Sequence, residues 1–142
     1  MNIAFYLNNL SDEEAVNNIC QQIYAGLEAK TIKDAAIFFE NAAPCRLNIP
    51  CATYNSCDMW SFEGSLIVRE LEACLKALKV VNNAKIYYYY GSEKINAINL
   101  LTMKGINIIC NGDESYQEFK RLTNTEPVGI SQNYRGIIEV LQ

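Results

Sequence analysis

The chain has 142 residues, 12 of them basic and 16 acidic, for a net charge of -4, and half of it is hydrophobic. That length suits one domain able to bury a sizeable core. The charge argues against sequence-independent binding along a nucleic-acid backbone, which needs a basic face, and no run of about 18 apolar residues marks a membrane-spanning helix.

Ile3–Leu7 is a short apolar run that reads as a first strand. It lacks a basic flank and a cleavage-like site, so it is not read as a leader, and a cytoplasmic location is expected. Ser11 and Glu14 stand at capping-box spacing. Val16, Ile19, Cys20, Ile23 and Leu27 then recur at helical spacing, giving a first helix over 12–29. Ala35–Phe39 is a second strand that ends near Glu40 and Asn41. Residues 42–50, with Pro44 and Pro50, read as an irregular crossing segment. Cys51–Tyr54 is a short third strand. A polar-aromatic connection over 55–63 holds Asp58, Trp60 and Glu63, and a long helix is predicted over 64–79, with Ile67, Leu71, Cys74, Leu75 and Leu78 on one face.

Ile86–Tyr90 reads as the fourth strand and ends on Gly91 and Ser92. Neighbouring residues on a strand point to opposite faces, so its four consecutive tyrosines put two rings on each side of the sheet. Both faces must then be covered, as in a parallel sheet between helix layers. A helix over 93–104, a fifth strand at Ile106–Cys110, a helix from the Asn111–Asp113 turn to 123, a sixth short strand at Val128–Ile130 and a helix over 135–141 complete the chain. The alternation predicts one three-layer Rossmann-like α/β domain. Its sheet is mainly parallel, of five to six strands in the order 3-2-1-4-5-6, with the tyrosine strand beside the first.

In such sheets ligands bind beyond the carboxyl ends of the strands, where the strand order reverses. The residues expected there are Asn8, Asn9, Asn55, Ser56, Gly91, Ser92 and Asn111, with the Tyr90 hydroxyl reaching the rim. They are small, polar and uncharged, and turns or helix caps call for the same residue types. The chain has no histidine. That excludes Ser-His-Asp and Cys-His nucleophiles and zinc sites with histidine ligands. The remaining catalytic candidates are Asp58, Glu63 and Glu93. Asp113 and Glu114, like Asp12, Glu13 and Glu14, read as favourable first-turn charges. Neither a GxGxxG turn nor a Walker-type loop is present, and no cofactor is expected. Of the six cysteines, Cys20, Cys74 and Cys110 fall in apolar patterns and are expected to be buried thiols. Cys45, Cys51 and Cys57 match no metal spacing, and no metal is expected.

Ile3–Ser11 resembles the start of glycosyltransferases built from two Rossmann-like halves, where an apolar strand leads through a short Asn/Leu/Ser loop into a helix. The stretch from Gly105–Asn111 to Glu126–Ile130 is similar to a later strand-helix-strand unit of such a half. The family's first loop usually continues into glycines, whereas Asp12-Glu13-Glu14 follow here, and the paired acidic motif of its second half is absent. The resemblance therefore implies a single domain that is either a binding or accessory relic or one half of an assembly.

Binding of a small polar ligand (a nucleotide or a sugar) or of a partner protein is the expected role, with non-enzymatic action favoured. A glycosyltransferase-like enzyme acting on a nucleotide sugar is the alternative. The leaning to Asn, Ile, Lys and Tyr, all with AT-rich codons, adds an accessory interaction protein of a phage or mobile element. Trp60, Phe62 and the Pro44–Pro50 segment are expected to form an apolar patch for a homodimer.

Overall fold

The computed structural model describes residues 1–11, 13–91, 105–132 and 136–142. The chain runs β1 (Asn2–Leu10), α1 (Glu14–Glu28), β2 (Asp34–Ala42), β3 (Ala52–Asn55), a 3-10 helix (Ser56–Ser61), β4 (Glu63–Val68), α2 (Leu71–Val80), β5 (Asn83–Tyr90), β6 (Asn107–Cys110), α3 (Asp113–Thr123), β7 (Gly129–Ile130) and α4 (Ile137–Leu141). The strands form one seven-stranded sheet in the order β3-β2-β1-β4-β5-β6-β7, and every pairing is parallel. The predicted Rossmann-like order is present, with one strand more.

The additional strand is β4. Leu66, Ile67 and Val68 are all buried, because a central parallel strand is covered on both faces and shows no alternation. Ile67 also stands four residues before Leu71, so helical spacing runs on from the strand into α2 and hides the boundary. The predicted helix over 64–79 is thus a strand at Glu63–Val68 followed by a shorter helix at Leu71–Val80. Its insertion corrects the place of the tyrosine strand. Ile3–Tyr6 pair with Ser65–Val68, and the tyrosine strand is β5, one strand removed from β1.

Each face of the sheet carries an apolar core. Ala4, Tyr6, Phe38, Leu66 and Val68 pack on one side with Cys74 of α2 and Phe119 of α3. Ile3, Phe5, Ile37 and Ile67 pack on the other with Ile19 and Ile23 of α1 and Ile137 of α4. The tyrosines divide as their alternation requires: Tyr88 and Tyr90 enter the first core, Tyr87 and Tyr89 the second. Tyr89 donates its hydroxyl to the Ser131 carbonyl at 2.7 Å, which satisfies a polar group that would be costly to bury unpaired.

The helix start differs in detail from the expected capping box. Glu13 is the N-cap of α1 and makes no side-chain cap bond. The buried Ser11 Oγ has no hydrogen-bond partner among the described residues. The predicted helix over 93–104 lies outside the described residues. No helix among the described residues is long and apolar enough to cross a membrane.

Candidate functional site

The order of the sheet reverses at β1, which has β2 on one side and β4 on the other. The β1–β4 pairing ends at Tyr6 and Val68. The β1–β2 ribbon continues to Asn9–Asn41 and Leu10–Ala42. This difference in length leaves a step at the carboxyl edge, facing the first turns of α2. A cleft of about 270 Å³ lies there, lined by Tyr6 and Asn8 of β1, Glu40 and Asn41 of β2, Glu70, and Glu72, Ala73 and Lys76 of α2.

One network joins four elements beneath the cleft. The Tyr6 hydroxyl and the Lys76 ammonium both donate to Glu40 Oε1 through short contacts. Lys76 Nζ also donates to Ser56 Oγ at 3.0 Å. Strand alternation explains the meeting: Tyr6 and Glu40 point to the α2 side of the sheet, and Lys76 lies one helical turn after Glu72 on the facing helix. The Lys76 ammonium, and then the Tyr6 hydroxyl, hold the Glu40 carboxyl down at about 2. Burial, and then the bond to Glu40, hold the Tyr6 phenol well above its ordinary value. Glu40 stays ionised and Tyr6 neutral across the physiological range. Neither is poised near neutral pH as an efficient acid–base catalyst would be. Ser56 is 1% exposed, so its hydroxyl is closed to an external substrate.

The expected site residues divide among several places. Asn8 lines the cleft, and Ser56 supports it through Lys76. Asn9 pairs opposite Asn41 in the ribbon. Asn55 caps the 3-10 helix, accepting from the Cys57 amide at 3.1 Å, which is turn chemistry. Tyr90, Gly91 and Asn111 meet farther along the carboxyl edge. The Asn111 amide donates to the Tyr90 carbonyl at 2.9 Å, and its side chain accepts from Ser115 Oγ at 2.8 Å. The Tyr90 ring is fully buried and packs against Phe119 at 6.2 Å between centroids. Ser92 and Glu93 lie outside the described residues.

Asp58 and Glu63 are brought together, but at the opposite edge. Both line a cavity of about 630 Å³ at the amino ends of the strands, with Asn2, Asp34, Phe38, Tyr54 and Phe62. Cys20, Cys74 and Cys110 are buried free thiols, as expected, and Cys57 is exposed. Among the described residues no group of three or more Cys, Asp or Glu side chains is placed to hold a metal ion.

Sequence reasoning passed over Tyr6, Glu70, Glu72 and Lys76. Tyr6 sits inside an apolar run and reads as core. Glu70 follows a strand that was hidden, and Lys76 looks like an ordinary polar-face residue of a helix. Glu40 and Asn41 carried the one available signal, because they end the second strand. No family model, curated protein or solved structure matches the chain.

Proposed function

We propose that this is a binding protein, not an enzyme, whose carboxyl-edge cleft takes a small neutral polyhydroxy ligand such as a sugar or the sugar part of a nucleoside. The observation that carries this reading is the cleft's polar lining at the reversal of strand order, where α/β sheets bind ligands. The size is just below the range of drug-sized pockets, which suits a compact ligand. Asn8 and Asn41 offer both donors and acceptors, Glu70 and Glu72 offer acceptors, and the first-turn amides of α2 offer donors. Glu40, Glu70 and Glu72 outnumber Lys76, so the cleft disfavours a phosphate despite the helix N-terminus beside it. The resemblance to one half of a two-domain glycosyltransferase agrees with this ligand class, and the six free cysteines suit a reducing, cytoplasmic setting.

A thermal-shift screen against monosaccharides, nucleosides and their phosphates tests the reading. A neutral ligand at a hundredfold over its dissociation constant stabilises by about 2.7 kcal/mol, a shift of several degrees for a chain of this size. The Asn8→Ala and Glu70→Ala variants should keep the unliganded melting temperature within a degree or two and lose the shift. A shift confined to the phosphates would reject the neutral-ligand assignment.

Self-association is a second reading, favoured by the exposure of Trp60 (58%) and Tyr54 (47%). The expected patch is smaller than its sequence suggested, because Phe62 turns onto Phe38 and Leu47 and Ile49 pack on the α1 core. A single monomeric species in sedimentation at high concentration would dismiss it.

A further inference from the structure

The cavity at the amino edge of the sheet has a chemistry different from that of the cleft. Its back wall is aromatic. Phe38 of β2 holds Tyr54 of β3 at 5.8 Å between ring centroids, tilted by 32°. On its other side it holds Phe62 at 5.8 Å, edge-on at 68°. Phe38 is itself buried, so the ring surface offered outward belongs to Tyr54, which is 47% exposed, and to the half-buried Phe62. Three carboxylates stand around this wall: Asp34 where β2 begins, Asp58 on the 3-10 helix and Glu63 where β4 begins. No lysine or arginine lines the cavity among the described residues.

We propose that this cavity is a second binding site, for an organic cation: an ammonium group carried on an apolar body. The volume of about 630 Å³ lies within the range of small-molecule sites. Aromatic faces attract an ammonium through the ring quadrupole, and the carboxylates around them supply full countercharge. An anion meets three uncompensated carboxylates there. A neutral apolar ligand would strip water from those carboxylates and return nothing. A divalent metal is a poor occupant, because the described carboxylates do not converge as a metal-binding group, whereas a bulky, diffuse cation spans separated acids. The site is independent of the carboxyl-edge cleft, since the two cavities share no lining residue.

Calorimetric titration of the full chain at low salt tests this, with choline and phenethylamine as probes. Each is paired with an uncharged isostere, dimethylbutanol and phenethyl alcohol. Saturable binding of the cations without measurable binding of the isosteres is expected. Asp58→Asn combined with Glu63→Gln should weaken it roughly tenfold, and Tyr54→Ala should weaken it by a comparable factor. These side chains are exposed, so the circular dichroism of the variants should match the parent. The proposal is overturned if neither cation binds saturably, if the isosteres bind as well, if the double variant retains full affinity, or if Glu70→Gln at the other edge takes the loss instead.

Discussion

Glu40 is shared by two donors on different elements, and that sharing sets its titration. Its carboxyl is held at about 2, against an ordinary value of 4.5. A depressed carboxylate contributes stability that is fully present above its unfolded value and is lost as the pH falls through the folded one. The contribution of Glu40 is therefore lost between pH 4.5 and about 2. Glu40 is 27% exposed and Lys76 42% exposed, so solvent screens the pair and Lys76→Met should cost about 1 kcal/mol at neutral pH. Urea titrations of the parent and of Glu40→Gln across that window should converge as the pH falls. Parallel curves would show that the network contributes no linked stability. The thiols make a second test at this scale. Burial pushes Cys74 up to about 12 and Cys110 up to about 11. Alkylation at neutral pH, followed by mass spectrometry, should label the exposed Cys57 and spare these two until the chain unfolds.

At the scale of elements, β4 decides where the site lies. Gly64 near its start has φ 142°, and a Cβ there would lie 2.5 Å from the Asn2 carbonyl oxygen of β1. The close approach of β4 to β1 needs a residue without a side chain. Gly64→Ala should destabilise by about 2 kcal/mol, read as a lower denaturant midpoint with an unchanged slope. An unchanged midpoint would mean that the strands can part there at no cost. The strand itself was illegible in the sequence for a physical reason. A short run buried on both faces carries no period of its own, and Ile67 extends the helical spacing of Leu71, Cys74 and Leu78. The tyrosine strand was legible for the converse reason, because four rings on alternating faces require two cores.

For the whole molecule, the parallel sheet and its two helix layers followed from the alternation of apolar runs, and the order of the six expected strands is kept with β4 inserted between β1 and the tyrosine strand. The general rule for carboxyl edges pointed to Asn8, which lines the cleft. It did not point to the pairing of Glu40 with Lys76, because 36 residues separate them and only the hidden strand brings α2 over β1. Asp58 and Glu63, singled out from a non-periodic segment as candidates at the ligand site, are sent by the fold to the amino edge. The molecule thus presents two edges of different chemistry. One is a polar cleft whose carboxylates share it with Lys76 and two asparagines, and the other an aromatic-walled acidic cavity without a lysine or arginine among the described residues. Backbone amide NMR during titration with the monosaccharide or nucleoside that gives the largest thermal shift tests the central claim most directly. Shifts are expected at Asn8, Asn41 and Glu70–Ala73, with Asn2, Asp34 and Asp58 unmoved. Perturbation centred on the amino edge, or spread evenly over the sheet, would contradict the assignment of the carboxyl-edge cleft as the ligand site.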